Sequence, residues 1–166
     1  MFNKFVIRKL QTTMMKKITL FFISALMISA AAFAQIENPV KWTYTAKKIS
    51  DKVYELHITA NLDPKWHIYA QDAGEGPSPT TFSFTKNPLV TTEGKIKEIG
   101  SLEKEYDKNF GSVLKFYNTK VTFVQKVKLR SNVATVIKGA VNYMVCNDRR
   151  CLPPKDVEFT IKIDGK

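Results

Sequence analysis

Two cysteines, Cys146 and Cys151, stand in the segment Tyr143-Met144-Val145-Cys146-Asn147-Asp148-Arg149-Arg150-Cys151-Leu152-Pro153-Pro154. A pair this close can join in one disulfide wherever the surroundings oxidise thiols. In the chain-entropy account a ring of about six residues contributes only ~2 kcal/mol, whereas a bond closing a long loop contributes ~4–5. A bond that ties a single turn is thus a weak staple. Arg149 and Arg150 put positive charge beside both sulfurs, which favours thiolate, while Asp148 opposes it. Pro153-Pro154 stiffens the exit from Cys151 and removes two backbone donors. The residues alone leave two readings open, a structural disulfide and an exchangeable one. Two cysteines without a nearby histidine cannot complete a zinc shell, so no metal is expected, and thiol exchange between such a pair and a partner would need no cofactor.

The remaining chemistry-bearing residues are few. His57 falls on the polar side of its run with Glu55 and Thr59 and reads as a surface histidine. His67 stands beside Trp66 and Tyr69 and reads first as packing, with a place near the thiols as the alternative. Two histidines support no Ser/His/Asp arrangement. Asp107 lies with Glu105 in an acidic segment. It suits a turn cap, or a proton-transfer role in thiol exchange.

The elements that must position these residues are strands. Period-two alternation puts Tyr54, Leu56, Ile58, Ala60 and Leu62 on one face. Val121, Phe123, Val127 and Leu129 share a face with Gln125 among them, as do Val157, Phe159, Ile161 and Ile163. Trp42, Tyr44 and Phe82 alternate along shorter runs and read as core. Further strands are expected at 41–47, 66–70, 81–85, 95–99, 113–117 and 134–145. A strand ends near Val145 and the next starts near Asp156, with the cysteine pair between them. Breaks occur at Asp63-Pro64, Gly74-Glu75-Gly76-Pro77-Ser78-Pro79, Asn87-Pro88, Glu93-Gly94 and Asn118-Thr119. One-sided strands with such turns predict an all-β fold, an immunoglobulin-like antiparallel β-sandwich. An immunoglobulin disulfide linking distant strands is not available from this cysteine pair.

The first 34 residues read as a secretory signal peptide. Lys4, Arg8, Lys9, Lys16 and Lys17 precede an apolar run at 18–33, no acid occurs before Glu37, and Ala32-Phe33-Ala34 offers a cleavage site before Gln35. Met14 or Met15 ahead of Lys16-Lys17 would make a tidier start. The expected mature domain is 35–166, located in the periplasm, monomeric and not membrane-spanning, since a comfortable span needs ~20 apolar residues. Removing the five leader cations from 26 Lys+Arg leaves 21 against 15 Asp+Glu, a net of +6. These lysines are scattered among acids, so no nucleic-acid partner is expected.

The Cys-x4-Cys-x-Pro-Pro motif after a Tyr-x-x-Cys strand end resembles the N-terminal periplasmic domain of the thiol:disulfide interchange protein DsbD. Trp66-His67-Ile68-Tyr69, Tyr106-Asp107-Lys108-Asn109-Phe110-Gly111 and the closing strand after Pro154 match in order, so the resemblance covers nearly the whole mature chain. It implies an immunoglobulin-like sandwich with the cysteine pair near one end. It also implies an electron relay between a thioredoxin-like donor and periplasmic disulfide isomerases or cytochrome c maturation thioredoxins. Cys151 would form the mixed disulfides and Cys146 would resolve them. A cap at 107–111 would cover the pair, with Phe110 as its ring, and Tyr69 and His67 would flank the sulfurs. This chain departs in its cysteine spacing, one residue shorter than in the best-known members. It also has Asn109 where a cap Phe is expected, and Lys108 in place of an acid. The family's membrane electron-transfer domain and C-terminal thioredoxin-like domain would be separate proteins here. The rival is a secreted β-sandwich binding module with an inert structural disulfide and a binding surface elsewhere, such as 71–79.

Overall fold

Alternation of apolar and polar side chains builds two antiparallel sheets in a computed structural model that describes residues 37–108 and 110–165. The expected leader and Asn109 lie outside the described residues. The strands are β1 (Val40–Ser50), β2 (Val53–Leu62), β3 (His67–Tyr69), β4 (Thr81–Phe84), β5 (Val90–Gly100), β6 (Glu103–Asp107), β7 (Ser112–Tyr117), β8 (Lys120–Leu129), β9 (Thr135–Cys146) and β10 (Cys151–Ile163). One sheet runs β1-β2-β8-β5. The other runs β10-β9-β3-β7-β6, with β4 also paired to β9. The all-β sandwich expected from the pattern is the fold observed.

Between the sheets, strand alternation delivers Tyr54, Leu56, Ile58 and Ala60 from β2, Val121, Phe123, Val127 and Leu129 from β8, and Phe159, Ile161 and Ile163 from β10. Trp42, Tyr44 and Phe82 pack against this core from their half-buried positions. Gln125, alone among apolar neighbours on its face, is buried at a bulge. The register of β5 against β8 shifts between Glu93 and Lys97, and Gln125 Nε2 donates to the Glu93 carbonyl at 3.0 Å.

Three boundaries differ from the sequence reading. Glu93-Gly94 does not end a strand: it forms the bulge inside β5, where Gly94 adopts φ +70° and needs no Cβ. β10 starts at Cys151 rather than near Asp156 and absorbs Pro153-Pro154 through a register shift between Leu152 and Lys155. The proline pair cannot donate to the ladder and is accommodated by that irregularity. β6 carries the sequence Glu-Lys-Glu-Tyr-Asp, which has almost no apolar alternation. It is an edge strand paired with β7, and charges are what such an edge carries. Among the described residues no helix is long and apolar enough to cross a membrane.

The feature that matters for chemistry is the opposite face of the second sheet. Period two sends Val145, Tyr143 and Ile68 into the main core, so Cys146, Met144, His67 and Tyr69 point the other way. There Tyr69, Ala73, Leu114, Phe116 and Cys146 form a second, small buried cluster with Met144 against it.

Candidate thiol-disulfide site

Cys146 ends β9, Cys151 begins β10, and the two are direct cross-strand partners. Asn147 N–H donates to the Arg150 carbonyl at 2.9 Å, and the Asn147 side-chain oxygen accepts from the backbone N–H groups of Arg149 and Arg150, both at 2.9 Å. This side-chain turn closes the four-residue loop without help from distant elements. It places the next pair out, Cys146 and Cys151, with Cα atoms 4.0 Å apart, in a disulfide. The spacing of four intervening residues is what a tight hairpin end can accommodate.

The two sulfurs meet different surroundings. Cys146 is 3% exposed within the small cluster, whereas Cys151 is exposed at the edge. Tyr69 O–H donates to Cys146 Sγ at 3.3 Å, and His67 Nε2 lies 3.4 Å from the Tyr69 hydroxyl oxygen. The position of Tyr69 is fixed from behind by Thr80, which is fully buried and whose hydroxyl donates to the Tyr69 carbonyl at 2.5 Å. His67 is the direct strand partner of Cys146, and its ring packs on Phe116 with centroids 4.6 Å apart. Burial pushes the His67 pKa down, against the opposing fields of Asp148, Glu105, Glu103 and Asp107. Burial, then the Asp107 charge, pushes the Tyr69 phenol up.

These residues line a cleft of about 780 Å³ with Cys146, Cys151, Arg149, Arg150 and Phe110 on its walls. On one side stands β6, whose Glu103 and Glu105 pair across to Phe116 and Leu114. On the other stands the hairpin loop with its two arginines. Among the described residues no group of His, Cys, Asp and Glu could hold a metal ion.

The turn after β6 is organised by Asp107. Its carboxylate accepts from Phe110 N–H at 3.2 Å, its carbonyl accepts from Gly111 N–H at 2.8 Å, and Gly111 takes φ +66°. Phe110 is 41% exposed, and its ring lies over Gly76, where a Cβ would overlap it. The segment around Gly76 is laced to β7. Lys115 N–H donates to the Ala73 carbonyl at 3.0 Å, Ser112 Oγ to the Glu75 carbonyl at 2.6 Å, and Lys115 Nζ pairs with Asp72. The 71–79 loop thus packs beside the thiol cleft through Ala73 and lies against the Phe110 ring at Gly76.

The structure therefore brings together Cys146, Cys151, His67, Tyr69, Asp107 and Phe110 around one cleft, whereas Asn109 is outside the described residues. Sequence reasoning missed Phe116, Leu114, Ala73, Thr80 and Gly76. The signal for Phe116 and Leu114 was present, since they alternate with the core residue Tyr117 and so face the cysteine side. Nothing local marks Thr80 or Gly76, whose roles depend on loop packing.

The chain matches the family model described as thiol:disulfide interchange protein DsbD, N-terminal, over residues 35–163. Among solved structures it is similar to the DsbD N-terminal domain of Neisseria meningitidis in the reduced form, at 17% identity and a TM-score of 0.50, covering 80% of this chain and 91% of that one. It is also similar to the N-terminal periplasmic domain of ScsB from Proteus mirabilis, at 17% identity and a TM-score of 0.50. That match covers 79% of this chain and 50% of the other. No curated protein matches the chain. The structural likenesses carry the fold, the family match spans most of the sequence, and with the strand-end cysteine pair both point one way: this chain belongs to the family of DsbD N-terminal domains.

Proposed function

We propose that this is a periplasmic thiol-disulfide exchange domain that relays electrons through Cys146 and Cys151. Its partners are a thioredoxin-like donor, fed by a membrane electron-transfer protein, and periplasmic disulfide or cytochrome c maturation proteins. The observation that carries this reading is the asymmetry of the pair. Cys151 is exposed on the wall of an open cleft, while Cys146 is buried behind it. An attacking thiolate needs an accessible sulfur and a leaving sulfur held in line.

In the electron-accepting direction a donor thiolate attacks Cys151 Sγ. The new donor–Cys151 bond forms, the Cys146–Cys151 bond breaks, and its electron pair leaves on Cys146. The donor's second thiolate then attacks the donor sulfur of the mixed disulfide and releases Cys151 as thiolate. The donor ends as a disulfide and the domain as a dithiol. In the delivering direction the Cys151 thiolate attacks a substrate disulfide, and Cys146 displaces the substrate by re-forming the bond to Cys151. No cofactor enters either sequence. Asp107 and Phe110 form the cap over the cleft, and His67 and Tyr69 line its floor. The domain is taken to begin after a leader cleaved near Ala34 and to act as a monomer.

The rival reading is a secreted binding module with an inert disulfide and a binding surface at 71–79, a loop that hydrogen-bonds to β7 beside the cleft. The deciding experiment equilibrates the protein with glutathione buffers and traps free thiols with a mass tag. A potential between roughly −120 and −270 mV, the range of exchange proteins, supports the relay. A bond that stays closed in strongly reducing buffer without denaturant overturns it.

A further inference from the structure

Breaking the disulfide from the Cys151 side leaves negative charge on Cys146, in the least favourable part of the cleft. Cys146 is nearly inaccessible and sits among Ala73, Leu114, Phe116 and Met144. A thiolate there is opposed by desolvation. It is opposed again by the carboxylates that line the same cleft, Glu103 and Glu105 on β6, Asp107 at the end of that strand and Asp148 in the hairpin loop. Arg149 and Arg150 line the same cleft, but they are exposed to solvent, which screens their charge. Some donor within the cluster must offset this if Cys146 is to leave.

The hydrogen-bond geometry supplies one and gives it a direction. Tyr69 O–H points at Cys146 Sγ, so the Tyr69 oxygen is left to accept, and the atom at 3.4 Å is His67 Nε2. With the Tyr69 hydroxyl proton given to sulfur, the 3.4 Å contact is completed by the Nε2–H tautomer of His67, and that is the tautomer the proposal assigns. The chain runs His67 N–H to Tyr69 O, then Tyr69 O–H to Cys146 S. Phe116 on the ring face and the β3–β9 pairing hold His67 in place.

We infer that His67 and Tyr69 form a directed donor chain that stabilises the Cys146 thiolate, with Tyr69 as the donor and His67 as the positioning residue that orients and polarises its hydroxyl. This rests on the exchange reading of the cysteine pair and goes beyond shielding of the sulfurs by aromatic rings. No proton need move. The neutral imidazole donates one hydrogen bond, the phenol donates the next, and the electron pair released by disulfide cleavage remains on sulfur.

The test reads Cys146 alone. In full chain carrying Cys151→Ser, thiolate absorbance at 240 nm is followed against pH, with circular dichroism confirming the fold of each variant. Tyr69→Phe should lower the thiolate fraction at pH 7 about tenfold, the size of one hydrogen bond to a charged group. His67→Phe should lower it about threefold, and His67→Gln, which can place an N–H at the Nε2 position, should restore it. A folded Tyr69→Phe protein with an unchanged titration overturns the inference, and failure of His67→Gln to restore what His67→Phe loses overturns the part played by His67. These outcomes are separable from the exchange reading, which is judged on the wild-type potential. A shift in Tyr69→Phe with an inert wild-type disulfide keeps the donor chain and removes the relay, whereas no shift with an exchanging disulfide does the reverse.

Discussion

The apolar residues of this domain fall into two clusters that share the strands β3, β7 and β9 but have opposite purposes. The larger lies between the sheets, is lined from both by alternating side chains, and contains Phe123, Leu56, Ile58 and Ile68 with essentially no exposure. The smaller lies on the outer face of the six-stranded sheet, includes Ala73 from the neighbouring loop, and contains the sulfur of Cys146. The same alternation makes both: one residue of each strand pair serves the fold and its neighbour serves the site. Ile68 and Tyr69, Val145 and Cys146, and Tyr117 and Phe116 are three such pairs. Substitutions should therefore separate cleanly into those that unfold the domain and those that change its disulfide.

The largest separation is expected at Cys151. Under the proposed exchange function, in which the exposed sulfur is attacked, Cys151→Ser should abolish disulfide exchange in an insulin-reduction or partner-transfer assay. The same change should lower unfolding free energy by no more than about 2 kcal/mol, the entropy of so small a ring. A loss of stability well above that, measured by denaturant unfolding, would mean the bond is a staple after all and would merge the two clusters into one structural unit.

The next contrast sets Phe123 against Phe116. Phe123 is fully buried, with the ring of Trp42 from its own sheet and that of Phe82 from the facing sheet at centroid distances of 6.3 and 4.9 Å. Phe123→Ala should destabilise by about 3–5 kcal/mol and leave the potential of the surviving folded protein unchanged. Phe116 is 8% exposed and packs on His67. Phe116→Ala should destabilise less, because the cavity opens toward the cleft and can fill with water, and should shift the potential by loosening His67. If both variants lose equal stability and neither moves the potential, the division between fold and site fails.

The sandwich and its main core were legible because period two is a strong signal when strands are eight or more residues long, as in β2, β8 and β10. The cysteine pair was legible because its residue types are rare in the chain and their spacing fits one turn. What was not legible depended on contacts distant in sequence. β6 has no apolar alternation and exists because β7 offers it a partner. β10 runs through two prolines because Cys151 is already pinned to Cys146. Glu93-Gly94 has the chemistry of a turn, yet β8 continues alongside and converts it to a bulge. In the site, the Tyr-x-x-Cys and Trp-x-x-Tyr segments could be named, but that Tyr69 reaches the buried rather than the exposed sulfur follows only from the register of β3 on β9.

The smallest effect on stability and the most local effect on function are expected at the cap. Phe110 is well exposed, so Phe110→Ala should change unfolding free energy by well under 1 kcal/mol. It should nevertheless raise the rate at which a small thiol such as dithiothreitol opens the disulfide several-fold, because a ring at the mouth of the cleft is gone. Gly76 offers an independent route to the same outcome. Its φ of +125° already disfavours any side chain, and a Cβ there would overlap the Phe110 ring. Gly76→Ala should thus displace the ring and accelerate the thiol reaction, while also losing stability through backbone strain. The two changes act through one ring, so the double variant should react no faster than Phe110→Ala alone, whereas independent effects would multiply. Stopped-flow reduction of the four proteins at one pH decides it: multiplicative rates would show that Gly76 controls the cleft by some path other than Phe110, and the loop at 71–79 would then be a second cover rather than the support of the first.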